Sequence, residues 1–125
     1  MESILTSVKK MLGITEDYTH FDADLIMCIN SVFMVLNQIG VGPATCFYIE
    51  DELPTWNDFL DDPTQLPIVK SYMSLKVRLL FDPPASSTHM TAINNAISEF
   101  EFRLNAAVDN GGMGDVITPD NNETV

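Results

Sequence analysis

The side chains able to do chemistry are few in this sequence, and they are scattered. His20 and His89 lie far apart, each beside the start of an expected helix, where a capping or exposed role is the simpler one. Cys28 and Cys46 form no CxxC pair and have no nearby histidine to complete a zinc site. Both read as free, buried thiols acting as small hydrophobes in a reducing setting. The runs Glu50-Asp51-Glu52 and Asp61-Asp62 could attract calcium. Neither has the alternating oxygen ligands, mid-loop glycine and closing glutamate of a calcium loop, so solvated acidic surface is expected. No glycine-rich phosphate loop, HExxH or GxSxG motif occurs. Accordingly, no catalytic residue, metal ligand or cofactor site is assigned.

The 125 residues have room for one domain, and a hydrophobic content of 46% suits a globular one. Charge is lopsided, with six Lys and Arg against 18 Asp and Glu and a net charge of −12. Phosphate backbones are gripped by Lys and Arg through counterion release, so this surface should repel nucleic acid. A basic DNA reader and a polybasic membrane binder are both excluded on charge. No stretch approaches the roughly 20 apolar residues of a membrane span. The opening Met1-Glu2-Ser3 lacks the basic and apolar regions of a secretory signal, so a cytoplasmic setting is expected.

The elements that must position these residues are helical. Ile4, Leu5, Val8, Met11 and Leu12 make one stripe, and Gly13 offers a left-handed stop, predicting a helix near 3–12. A second helix is expected over 22–39, capped by Asp22, stapled by Phe21 against Ile26 and ended by Gly40. It is unusual: residues 25–49 contain no charge, and Met27, Cys28, Met34 and Val35 extend the apolar surface around much of the helix. Such a helix is wrapped by its own chain or covered by a neighbouring subunit.

Residues 40–67 are mostly connection, with at most one short strand pair in 41–53 and a helical piece at 55–60 started by Thr55. Trp56 and Phe59 stand there as candidate partner anchors, or as a cover over the helical core. After Pro67 a helix is expected over 68–81. Its polar stripe is Lys70, Ser74 and Arg78, and its core residues are Ile68, Val69, Tyr72, Met73, Leu79 and Leu80. Pro83-Pro84 stops it.

The last helix is expected over 87–107, with Met90, Ile93, Ile97, Phe100 and Leu104 at helical spacing and Glu99 and Arg103 paired four apart. Asp82, placed unfavourably at a helix C-terminus, should turn the chain or pair with Arg78 or Arg103. Phe102 lies on the polar side with Thr91, Asn95 and Ser98, where an aromatic either packs under the tail or, the favoured reading, contacts another chain. Residues 1–108 thus read as an all-α domain, a small bundle of four to five helices with a long middle loop. Residues 109–125 read as a flexible tail whose only adjacent apolar pair, Val116 and Ile117, is its candidate anchor.

Three blocks taken together resemble a known family: LIMCINSVFMVLNQIGVGP at 25–43, LKVRLLFDPP at 75–84 and EFEFRLN at 99–105. In order and spacing they are similar to the head–tail connector proteins of tailed phages, also called portal adaptors or DNA-packaging connectors, over roughly residues 2–108. The resemblance implies a helical protomer that assembles into a dodecameric ring beneath the portal protein and presents a surface to the stopper or tail-completion protein. It implies a virion component at the head–tail interface, assembled in the bacterial host cytoplasm, with neither enzymatic activity nor cofactor.

The residues agree on two counts: the second helix asks for a neighbour, and acidity suits a conduit that DNA traverses without being bound. On that reading the lumen is acidic, while Lys70, Arg78 and Arg103 face protein. Two other classes stay open. An acidic inhibitor mimicking DNA would be a monomer or dimer with phosphate-like carboxylate spacing. A small enzyme with a scattered site would need a deep pocket holding perturbed groups.

Overall fold

The computed structural model describes residues 2–109, and the tail with Val116 and Ile117 lies outside them. Five helices follow in order: α1 (Ile4–Met11), α2 (Asp22–Ile39), α3 (Trp56–Phe59), α4 (Leu66–Phe81) and α5 (Ser87–Asp109). The all-α expectation holds. Among the described residues the nearest thing to a sheet is one isolated antiparallel bridge between Ser3 and Thr55, and 41–53 is irregular.

Local chemistry sets most of the boundaries. The Ser3 hydroxyl accepts from the Thr6 N–H at 3.2 Å to start α1, and Lys9 and Lys10 in its last turn complement the helix dipole. Gly40, at φ 102°, gives α2 its left-handed end, where its N–H donates to the Leu36 carbonyl. Pro67 lies inside the first turn of α4, so that helix starts two residues before the expected 68. α5 continues to Asp109, past the expected 107.

One boundary has a different cause from the one expected. Asp22 does not cap α2; Phe21 holds the cap position without a side-chain bond, and Asp22 is already helical. Its carboxylate is drawn instead to Lys9, while the Phe21 ring packs edge-on against Phe81 at 5.2 Å, tying the start of α2 to the end of α4.

α4 packs against both α2 and α5, and α1 closes over α2 and α4. The core joins Leu25, Ile29, Phe33 and Leu36 of α2 to Val69, Met73 and Val77 of α4 and to Ile97 and Leu104 of α5. Two placements on α4 differ from expectation. Ser74 is buried, its hydroxyl donating to the Lys70 carbonyl at 2.9 Å, which a serine can do inside a helix without an outside partner. Leu80, in the last turn before the proline break, is 57% exposed and forms no part of the core. By length and mean hydropathy (18 residues, 1.2) α2 equals a membrane-crossing helix, yet five of its side chains are buried in this core.

Candidate functional site

On α2 the exposed residues are Ala23, Asp24, Met27, Ser31, Met34 and Gln38, with the one charge, Asp24, in the first turn. Their spacing of four and three makes a single stripe on the face away from Ile29 and Phe33. Met27 is 70% exposed and Met34 57%. The connecting segment lies beside this stripe and is held by side chains of α2. Asn30 Nδ2 donates to the Ile49 carbonyl at 3.0 Å, and the Ile49 N–H donates back to Asn30 Oδ1 at 2.8 Å. Asn37 Nδ2 donates to the Pro43 carbonyl at 3.2 Å. Phe33, Phe47 and Phe59 form a three-ring cluster with centroids 4.7–5.4 Å apart, so the segment is anchored and Tyr48 is left pointing outward.

α5 places Phe102 outside. With Ile97 and Leu104 turned toward α4, a residue two before Leu104 falls on the opposite side, and Phe102 is 73% exposed. Beside it Arg103 Nε donates to Glu99 Oε2 at 3.0 Å and Nη2 to the same oxygen at 2.6 Å, the expected i,i+4 pair. The Tyr72 hydroxyl of α4 donates to Glu101 Oε2 at 2.7 Å, fixing the rotation of α5. Burial, then this bond and the carboxylate charge, holds the Tyr72 phenol well above its usual range.

Of the two roles open to Trp56 and Phe59, the structure shows the cover over the helical core. Trp56 and Phe59 are core residues, 2% and 4% exposed, and present no surface to a partner. The Trp56 indole N–H donates to Ser7 Oγ at 2.8 Å, and Ser7 in turn donates to the Ile4 carbonyl, so α3 is a plug over α1 and α4. Lys70 Nζ sits 5.9 Å from the Trp56 ring centre. Arg78 and Asp82 do not pair through side chains. They meet through the backbone, Asp82 N–H donating to the Arg78 carbonyl at 2.8 Å, and Arg78 Nε is buried without a hydrogen-bond partner among the described residues. Cys46 is exposed, not buried, and Cys28 is half-buried on α2. Burial and then the nearby Asp24 charge raise the Cys28 thiol pKa. His20 packs edge-on against Phe21 at 4.8 Å, and His89 lies exposed in the first turn of α5.

Lys9 carries a role that periodicity could not announce. It lies on the buried side of α1, its Nζ 2.9 Å from Asp22 Oδ1 and donating to the Glu16 carbonyl at 2.9 Å. The Asp22 contact is ionic; Oδ1 receives no aligned hydrogen bond. This pair floors a cleft of about 560 Å³ rimmed by Glu16, Asp17 and Glu52. The groups with displaced pKa, Cys28 and Tyr72, lie outside that cleft. Among the described residues no three His, Cys, Asp or Glu side chains converge as a metal site. What the surface displays is a pair of exposed methionines on α2 and an exposed aromatic ring on α5.

Neither the curated proteins nor the solved structures contain a match to this chain. A family model described as phage connector protein matches residues 4–111, nearly the whole length and all five helices. That family is structural, a bacteriophage component that joins head to tail and contacts other virion proteins. Matched by that model over residues 4–111, this chain belongs to the phage connector family.

Proposed function

We propose that copies of this chain close into a ring, a dodecamer by family resemblance, that docks under the portal, extends the DNA channel and provides the attachment surface for the stopper or tail-completion protein. The observation that carries this reading is the outer face of α2, where Met27 and Met34 stand exposed on a protomer of net charge −12. A lone acidic protein gains nothing by exposing Met27 and Met34 side by side, whereas a subunit buries such a stripe on assembly. The acidity also suits a passage for DNA, since a wall rich in carboxylates repels phosphate at close range.

On this reading residues 1–108 are the ring-forming domain, and the tail from 109 engages a partner through Val116 and Ile117. DNA passes without specific binding, and the basic residues face protein. Lys70 over Trp56 and Arg103 on Glu99 are consistent with that. Native mass spectrometry of the full chain, alone and with its portal protein, tests the proposal. A closed oligomer that adds to the portal supports it, and a chain that stays monomeric in both conditions refutes it.

A further inference from the structure

The 18 acidic residues are unevenly placed. Residues 25–49 contain no Asp, Glu, Lys or Arg, and neither do residues 83–98. The first stretch supplies the outer stripe of α2, and the second supplies the first half of α5, with Thr91, Asn94, Asn95 and Ser98 exposed. The neutral α5 face continues past residue 98. Glu99 and Arg103 cancel each other in an ion pair, while Glu101, bonded to Tyr72 without a counter-charge, and the exposed Asp109 lie at the margins of this face. Thus each of two helices presents a face poor in charge, interrupted only near its ends, by Asp24 on α2 and by Glu101 and Asp109 on α5. Both helices pack on α4, so each turns its outer face away from it.

We propose that these two faces are complementary halves of one head-to-tail contact between copies of this chain, with Phe102 of one protomer seated on Met27 and Met34 of the next. The inference rests on the ring reading and deepens it by naming the surfaces. Charge selects the occupant. Two copies at −12 repel, and across a contact closer than the Debye length of about 8 Å salt does not screen facing carboxylates. Self-association is therefore favoured on surfaces where carboxylates are sparse or paired, as they are on α2 beyond Asp24 and on α5 around Phe102.

The two halves also differ in a way that favours pairing with each other. The α2 stripe is long, unbranched and deformable, with two thioethers. The α5 face is small and polar around one projecting ring. Methionine sulfur packs well against an aromatic edge, and a single aromatic anchor at the centre of a dry patch is the usual form of an interface hot spot. Pairing α2 with α2 would leave Phe102 in water on both copies. Pairing α2 with α5 covers both and uses one of each face per protomer, the arrangement a closed ring requires.

The test uses the full chain with Cys28→Ser and Cys46→Ser, carrying Ser31→Cys, Ser98→Cys, or both, so that Met27, Met34 and Phe102 stay in place, under mild oxidation and with a short bis-maleimide. The double variant should give a ladder of covalent multimers, a mixture of the two single variants only dimers, and each single variant alone no product. Cross-linking by either single variant alone would mean like-to-like contact and overturn the inference. A double variant that sediments as an oligomer but never cross-links would overturn the pairing while leaving the ring intact. Absence of any oligomer, with or without portal, would overturn both. As a second reading in the native cysteine background, Met34→Glu and Phe102→Glu should each cut the assembled fraction tenfold or more with an unchanged melting temperature. Unaltered assembly would contradict the proposal.

Discussion

The side-chain amide of Asn30 pairs with both backbone polar atoms of Ile49, donating at 3.0 Å and accepting at 2.8 Å. The pair imitates one rung of a β-ladder between a helix and a loop. Ile49 is 1% exposed, so its N–H and carbonyl have little water to turn to. Asn30→Leu should therefore lower stability by about 1–3 kcal/mol. Urea unfolding reads the loss, and amide exchange at Ile49 should accelerate more than exchange in α4.

Gly42 stands at φ 92°, and a Cβ there would collide with the Phe59 ring. Gly13 has a similar φ of 81° but open space around it. Gly42→Ala should cost about 1–3 kcal/mol more than Gly13→Ala, because only the first adds a clash with the three-ring cluster to the backbone strain. Thermal melting of the two variants side by side measures the difference.

These two sites mark what sequence pattern could and could not reveal. The ends of α2 and α4 were legible because Gly40 and Pro83-Pro84 act locally, and the stripes of α2 and α5 were legible as helical periodicity. Phe102 was recognisable as exposed from its phase against Leu104. Trp56 and Phe59 were not placed by the same means. They occupy a connecting segment among Asp and Glu, and only the fold-back of that segment, held by Asn30 and by the indole bond to Ser7, buries them. Lys9 was hidden for a related reason: its partners, Asp22 and the Glu16 carbonyl, lie outside its own helix.

Lys9→Met should destabilise the protein by about 1–3 kcal/mol. It strips the Asp22 carboxylate, whose side chain is 28% exposed, of its counter-ion. Combining it with Asp22→Asn should cost less than the sum of the single changes. A double-mutant cycle in urea checks the coupling, and strict additivity would show that the pair contributes nothing.

The raised Tyr72 pKa makes stability depend on pH at the alkaline end. The folded protein holds the phenolic proton more tightly than the unfolded chain does. The stabilisation is therefore complete below the ordinary value of about 10 and declines as pH rises beyond it toward the folded-state pKa. Tyr72→Phe should be less stable than the parent at neutral pH by about 1 kcal/mol, through loss of the Glu101 bond. The gap should shrink above pH 10, where the parent alone suffers this loss; melting curves at pH 7 and about 10.5 show the sign.

On the proposed reading, this acidic, helical protomer of the phage connector family assembles through its charge-poor faces into a ring on the portal. Native mass spectrometry of the full chain mixed with its portal protein tests this most directly. The account predicts one discrete species containing the portal and a fixed, closed number of copies, lost when Met34 is replaced by Glu. A portal that binds single copies, or that binds none while the chain remains monomeric and folded, would contradict it.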